Sequence, residues 1–501
     1  MSIGGPLPEV LTDGRTEPAD AESALGPVPY DSVDLASDQS FPASDVPPWT
    51  LGVEEPNHRV ERDSMGEVRV PVHALYGAQT QRAVENFPIG SDRLQPQFIR
   101  ALGLIKACAA RINGELGALP AKLAADIAEA SDRIADGMYF DQFVVDVFQT
   151  GSGTSTNMNA NEVIARLSNT HPNDHVNRSQ SSNDVIPSAI HVAAAQQIRN
   201  ELLPAMEFLR AALEAKSGEF RDVFKIGRTH LQDATPMTLG QEFGGYAHQI
   251  RACAERVTSG LESLYELPLG GTAIGTGMNA PEDFAARTIG LIAQRSAIPF
   301  REARNHFEAQ AARDAVAFMS GALRTYALAL TKIANDIRWL GSGPRGAIGE
   351  IRLPGLQPGS SIMPGKVNPV IAESVLMICG QVIGHDAAII WSCAGGNFEL
   401  NTMIPLIAFD LLDSIDLLSA GSRNFAARCI SQLEANRERA EALVEQSLAM
   451  AAFLAPEIGY DKAAALAKDA FETGRTVREV AVEKSGIPAA RLAELLRCSE
   501  T

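Results

Sequence analysis

One segment places an unusual set of side chains close together. Pro358-Gly359-Ser360-Ser361-Ile362-Met363-Pro364-Gly365-Lys366-Val367-Asn368-Pro369 holds a serine, a cation and an amide within nine residues, and Glu373 follows. A loop with Ser and Lys suits carbanion chemistry. The serine takes a proton if its alkoxide is stabilised, and Lys366 and Asn368 hold a carboxylate as negative charge builds on it. A phosphate loop does not fit. Five residues separate Gly359 from Gly365, Val367 stands where a magnesium-binding hydroxyl is needed, and no strand pattern precedes.

Three further segments are polar beside long helical stretches. Gly151-Ser152-Gly153-Thr154-Ser155-Thr156-Asn157 and Ser179-Gln180-Ser181-Ser182-Asn183-Asp184 put hydroxyls, amides and backbone N–H groups at helix starts. Such an arrangement binds a small anion. Ordinary N-capping uses the same residue types, but these runs are longer than a cap needs. Gly227-Arg228-Thr229-His230-Leu231-Gln232-Asp233-Ala234 adds a histidine able to act as acid or base near neutral pH. Two other segments are weaker. Gly271-Thr272-Ala273-Ile274-Gly275-Thr276-Gly277 lacks the βαβ context of a dinucleotide fingerprint and reads as a close-packed turn. His171-Pro172-Asn173-Asp174-His175 lacks a zinc-binding spacing, so no metal is expected.

Such groups need a rigid frame, and long helices supply it. The clearest is expected over 308–340. Apolar residues at Val316, Met319, Leu323, Tyr326, Leu330, Ile333 and Ile337 alternate steps of three and four, the period of a buried seam. Gly341-Ser342-Gly343-Pro344 ends it. Similar stretches at 187–217, 240–266, 369–393 and 402–433 make five, so the fold class is mainly α. Pro120 and Gly137 bracket a further helix, 60–95 contains short extended pieces such as Val68-Arg69-Val70-Pro71, and shorter helices follow residue 434. A bundle of five leaves apolar faces uncovered, which points to an oligomer; a monomer covered by its flanking regions is the alternative.

Composition narrows the function classes. The 501 residues carry a formal charge of −18, without the basic face of a nucleic-acid binder. Residues 1–56 hold eleven acidic residues, one Arg and nine of the 28 prolines, the composition of a disordered tail. Phe41-Pro42 and Pro47-Pro48-Trp49 within it could be a docking motif or plain tail. The tail has neither the pattern of a secretory signal nor the arginines of a mitochondrial presequence, so a cytoplasmic location is expected. The six cysteines form no C-x-x-C and are expected to be free thiols. The apolar run 370–391 contains Glu373, His385 and Asp386, and reads as a core helix without any membrane partner.

Taken together, the loops resemble the aspartase/fumarase superfamily. Gly359 to Asn368 matches its signature G-S-S-x-M-P-x-K-x-N in full. Gln149-Thr150-Gly151-Ser152-Gly153-Thr154, Gly227-Arg228-Thr229-His230, Asn335-Asp336-Ile337-Arg338-Trp339 and Gly396-Asn397-Phe398-Glu399-Leu400-Asn401 look like the class II fumarate hydratases. The resemblance runs over roughly 58–490. It implies a three-domain subunit, here an N-terminal lyase domain 57–180, a central long-helix domain 181–433 and a small C-terminal domain 434–501, with only the tail 1–56 outside it. It also implies a homotetramer that pools its central helices into a twenty-helix core, with each active site built from three chains.

The implied chemistry is reversible hydration of fumarate to (S)-malate without metal or organic cofactor. By resemblance, Ser360 is the base that removes the C3 proton, and Lys366, Asn368 and loop N–H groups stabilise the aci-carboxylate. His230, paired with Glu373, is the candidate acid, acting through a water. Ser152, Gly153, Thr154, Ser181, Ser182, Asn183, Thr229 and Ser361 join Lys366 and Asn368 in holding the substrate. His171, Asn173 and Asp174 correspond to a second dicarboxylate site, although Ala165–Thr170 is shorter than in the family and lacks its usual basic residue. The rival is aspartate ammonia-lyase. Thr229-His230 and Gly365 resemble fumarases, where aspartases typically have Thr-Gln and Ala. An inactive scaffold, the third reading, should have lost the proton-transfer groups that are all present here.

Overall fold

Helices dominate the computed structural model, which describes residues 57–496. The acidic tail, its Phe41 and Trp49 cluster, and Cys498 lie outside the described residues. After short strands at His58–Asp63 and Gly66–Pro71, helices α1 (Pro96–Glu115) and α2 (Ala121–Ala135) pack against each other. Pro120 caps α2, and Gly137 follows it with φ 97°, the bracketing the sequence suggested. Helix α3 (Thr154–Ser168) packs on α2.

Next come five long helical elements. Helix α4 (Ser182–Gln197) passes through one π-helical turn into α5 (Leu203–Glu219). The others are α6 (Leu239–Leu264), α7 (Asp314–Leu340), α8 (Val370–Cys393) and α9 (Ile404–Arg428). Helix α5 packs on α6, α6 on α7, α7 on α8, α8 on α9, and α9 returns to α5, closing a five-helix ring. The expected α7 seam lies inside it: Val316, Met319, Leu323, Tyr326, Leu330, Ile333 and Ile337 are each at most 1% exposed. Burying such a side chain stabilises the fold by about 1.5–3 kcal/mol. The five sheets among the described residues are each two-stranded. A second apolar cluster, including Leu454, Leu466, Val480 and Leu492, gathers the short helices beyond Arg437. All five described cysteines are free.

Two helix starts differ from expectation. The stretch from 308 is interrupted: a short helix, His306–Ala311, ends at an extended Ala312, and α7 begins at Asp314. The buried Arg313 carbonyl accepts the N–H groups of Val316 and Ala317, so it opens the new helix. Helix α4 begins at Ser182, five residues before the expected 187. Ser181 and Asp184 form a capping box there, and Pro187 rides inside the helix. The N–H missing at Pro187 would have met only the Asn183 carbonyl, so the loss is one hydrogen bond.

Apolar side chains also face outward. Phe318 and Leu328 on α7, and Met377, Ile390 and Trp391 on α8, are 46–76% exposed. Helix α8 is the one described helix long and apolar enough to cross a membrane. Its polar residues are instead tied to neighbouring helices. Asp386 accepts from Ser320 and Arg324 of α7, both at 2.6 Å, and His385 Nδ1 lies 3.1 Å from Ser414 Oγ on α9.

His191 on α4 sets an acid limit on this frame. It is buried, and its Nδ1–H donates to the Glu266 carbonyl at 2.9 Å. Burial, with Arg313 nearby, pushes its pKa from 6.5 down to about 4. The unfolded chain therefore takes a proton that the fold refuses, and stability falls as pH drops through 6.5 towards about 4. The full contribution is up to about 3 kcal/mol. Urea unfolding of the wild type and His191→Gln should show the wild-type advantage at neutral pH shrinking in acid; a constant gap would contradict this account.

Candidate active site

The first two polar segments meet. Ser152 Oγ lies 2.7 Å from Thr154 Oγ1, which lies 2.7 Å from Ser182 Oγ, so three hydroxyls form one chain across the starts of α3 and α4. Gly153, φ 74°, is the N-cap of α3. A Cβ at Gly151 would collide with the Thr402 carbonyl, because the Ile404 N–H donates to the Gly151 carbonyl at 2.9 Å. Other hydroxyls of these runs are used internally. Gln149 Oε1 accepts from both the N–H and the hydroxyl of Thr156, and Thr150 pairs with Ser155. Ser181 caps α4 by accepting the Asn183 N–H, so its hydroxyl serves the helix. Asn183 Nδ2 donates to the Ala273 carbonyl at 2.8 Å.

A polar layer lies beneath. Asn177 Oδ1 accepts from Lys106 Nζ at 3.1 Å, Asn161 Nδ2 at 3.1 Å and Asn157 Nδ2 at 3.2 Å. Asn113 accepts the Ser179 hydroxyl at 2.7 Å and donates to the Arg178 carbonyl at 2.9 Å. Burial pushes the Lys106 pKa down to about 7 and that of Asp184 up to about 6, each charge partly restoring the other. Neither Lys106 nor Asn113 was singled out from sequence. Their signal was a Lys and an Asn seven residues apart, and so on one face, among the apolar residues of α1.

His230 sits at a hairpin tip. Strands β1 (Phe224–Thr229) and β2 (Gln232–Thr238) pair antiparallel, with Thr229 opposite Gln232. The two turn residues, His230 and Leu231, have φ 56° and 58° and are exposed. Two non-glycine residues in the left-handed region cost of order 1 kcal/mol each, strain of the kind found at functional sites. Buried charges hold the hairpin. Arg228 donates to both Glu350 oxygens at 2.8 and 3.0 Å, and Lys225 lies 3.0 Å from Glu242 and 3.5 Å from Glu350. Glu350 is fully buried. It directly precedes β3 (Ile351–Arg352), which pairs with β4 (Glu434–Ala435) and leads into the serine loop.

That loop is closed on itself. The Gly359 N–H donates to the Lys366 carbonyl at 3.0 Å, and Asn368 Nδ2 donates to the Gly359 carbonyl at 2.7 Å. Any Cβ at Gly359 would collide with the Lys366 carbonyl. Ser360 Oγ accepts two backbone N–H groups, Ile362 at 3.2 Å and Met363 at 3.0 Å. Ser361 and Lys366 are exposed, Asn368 and Glu373 half-buried. Within one chain, no hydrogen bond or ion pair among the described residues joins His230 to Glu373, or either to the hydroxyl chain.

His171, Asn173 and Asp174 stand apart from these groups. His171 Nδ1 accepts the Asp174 N–H at 3.1 Å. His171 and Asn173 line a separate cavity of about 560 Å³ with Glu61, Asp63 and Arg166. The Arg166 guanidinium there is paired with Glu61. No metal-binding cluster of three or more His, Cys, Asp or Glu occurs among the described residues.

Residues 66–384 match the family described as Lyase, and residues 450–500 match the fumarase C C-terminus. The class II fumarate hydratase of Mycobacterium tuberculosis is 54% identical over 440 residues, 87% of this chain and 93% of the relative. The chain belongs to the class II fumarase family. The Corynebacterium glutamicum enzyme of the same name is 50% identical over 446 residues, covering 88% of this chain and 94% of its own. A class II fumarase structure from Schistosoma mansoni superposes with a TM-score of 0.85 at 38% identity, covering 88% of this chain and 98% of that one. A Brucella melitensis fumarate lyase:delta crystallin structure, bound to cobalt, gives 0.84 at 46% identity, covering 88% and 98%. The mainly α lyase fold read from the loops and the helix periods is thus borne out.

Glu350 carries a direct test of the hairpin anchor. Glu350→Gln leaves Lys225 and Arg228 facing a neutral amide. The expected loss is about 3–5 kcal/mol of unfolding free energy, read by urea titration. An unchanged unfolding midpoint would remove Glu350 from this role.

Proposed function

We propose that this chain is a fumarate hydratase, interconverting fumarate and (S)-malate by way of a C3 carbanion. The observation that carries the reading is the double N–H contact on Ser360 Oγ. A serine hydroxyl is a poor base unless its oxyanion is stabilised, and two convergent backbone donors supply that stabilisation. In the dehydration direction the Ser360 alkoxide takes the C3 proton of malate and becomes the neutral hydroxyl. The electron pair left behind moves into the adjacent carboxylate, giving the aci-carboxylate dianion, and Lys366, Asn368 and loop N–H groups hold it. The C2 hydroxyl then leaves as water. His230, oriented by Glu373, delivers the proton through a bound water. The Ser152–Thr154–Ser182 hydroxyls, with Asn183, Thr229 and Ser361, receive the substrate carboxylates, while Ser181 contributes by capping α4. No cofactor is required by this chemistry.

The site is completed by other copies of the chain. The apolar faces of α7 and α8 need cover, and a homotetramer with a pooled twenty-helix core provides it. The serine loop, the His230 hairpin and the hydroxyl chain then come from three subunits. The location is the cytoplasm. His171, Asn173 and Asp174 are the remnant of a second dicarboxylate site, because the Arg166 cation near it is already paired.

The test follows the absorbance of fumarate with malate and, separately, with aspartate as substrate. Turnover of malate but not aspartate is expected; the reverse would replace this reading with an ammonia-lyase. Ser360→Ala should lower kcat by about 10³-fold or more with the fold retained, since it removes a group acting in the transition state. Near wild-type turnover would dismiss Ser360 as the base.

A further inference from the structure

Asp184 is used by none of the chemistry above, yet it joins two of the segments around it. The side chain is fully buried. One oxygen accepts the Ser181 N–H at 2.9 Å, and the other accepts the N–H groups of Gly270 at 2.9 Å and Thr272 at 3.0 Å. A single carboxylate therefore pins the start of α4 to the turn Gly270–Gly277. The same pieces meet again where Asn183 Nδ2 donates to the Ala273 carbonyl at 2.8 Å. Gln310 Nε2 braces the turn from behind by donating to the Thr272 carbonyl at 2.8 Å. Lys106, buried and bonded to Asn177, balances the charge.

Helix capping alone does not require this arrangement. The Ser181 hydroxyl already accepts the Asn183 N–H, and a neutral side chain at 184 would serve a cap. Accepting from two segments at once takes both oxygens of a carboxylate, since an amide offers one acceptor oxygen and would turn N–H donors towards N–H donors. Burying a charge pair is also costly relative to apolar side chains of similar volume.

We propose that Asp184 is a positioning residue, holding Ser182 and Asn183 against the Gly270–Gly277 turn so that a diacid carboxylate meets preset donors. The turn is thereby a wall of the substrate site. This rests on the fumarase reading, and the experiment separates the two. Malate kinetics and inhibition by succinate, a four-carbon diacid that cannot react, are measured for the wild type, Asp184→Asn and Lys106→Met/Asp184→Asn, with melting temperatures. In Asp184→Asn, KM and the succinate inhibition constant should rise together by about tenfold or more while kcat stays within about threefold, because binding donors move and Ser360 does not. The double variant, which removes both buried charges, should regain melting temperature but not KM. An unchanged KM and succinate affinity in Asp184→Asn would overturn the proposal. Recovery of wild-type KM in the double variant would do so too, reducing Asp184 to a charge partner. A wild type that fails to turn over malate would sink the fumarase reading instead; succinate binding by calorimetry would then decide the Asp184 clamp on its own.

Discussion

A serine hydroxyl holds its proton tightly, and the proposed chemistry depends on what surrounds one oxygen atom. Ser360 Oγ accepts the N–H groups of both Ile362 and Met363. These donors are fixed by the loop's own closure, through Gly359 to Lys366 and Asn368 to Gly359, so they need no rearrangement as negative charge appears. Lys366 and Asn368 belong to the same short closure. In the proposed chemistry, the groups that stabilise the base and those that stabilise the dianion thus share one loop.

The rest of the fold delivers that loop and its counterparts. Glu350 joins the His230 hairpin, through Arg228 and Lys225, to the strand that begins the serine-loop stem. Displacing one therefore disturbs the other. The hydroxyl chain Ser152–Thr154–Ser182 rests on a buried polar layer containing Lys106, Asn113 and Asn177. Such a layer is costly unless its members are satisfied, and when they are it fixes one arrangement of the loops above. The five-helix ring is the support, and the α7 seam residues are buried within it.

Much of this was legible in the sequence because the physics was local or periodic. The α7 seam follows from steps of three and four, and all seven residues are buried. The serine loop and the polar helix starts stand out by composition alone. Helix boundaries were less legible. Pro187 looked like a beginning, but the Ser181–Asp184 capping box sits upstream, and Ala312 gives no sign of the break it makes. The role of Asp184 was hidden because its partners lie 86 and 88 residues away. Gly271–Gly277 looked like a close-packed turn and is one, but nothing local announced what it packs against. By residue type the hydroxyls of Ser155 and Thr156 are equivalent to those of Ser152 and Thr154; three-dimensional pairing shows the first two used internally and does the same for Ser181, which the resemblance places among the substrate-holding groups.

In the proposed mechanism Ser360 acts on substrate in a site where His230 is supplied by another subunit. Mixing subunits tests it most directly. Ser360→Ala and His230→Asn chains are refolded together, and mixed oligomers are verified by native mass spectrometry. These mixtures should regain malate turnover well above either parent, because some sites receive an intact serine loop and an intact hairpin from different chains. Verified mixed oligomers no more active than the parents would contradict it.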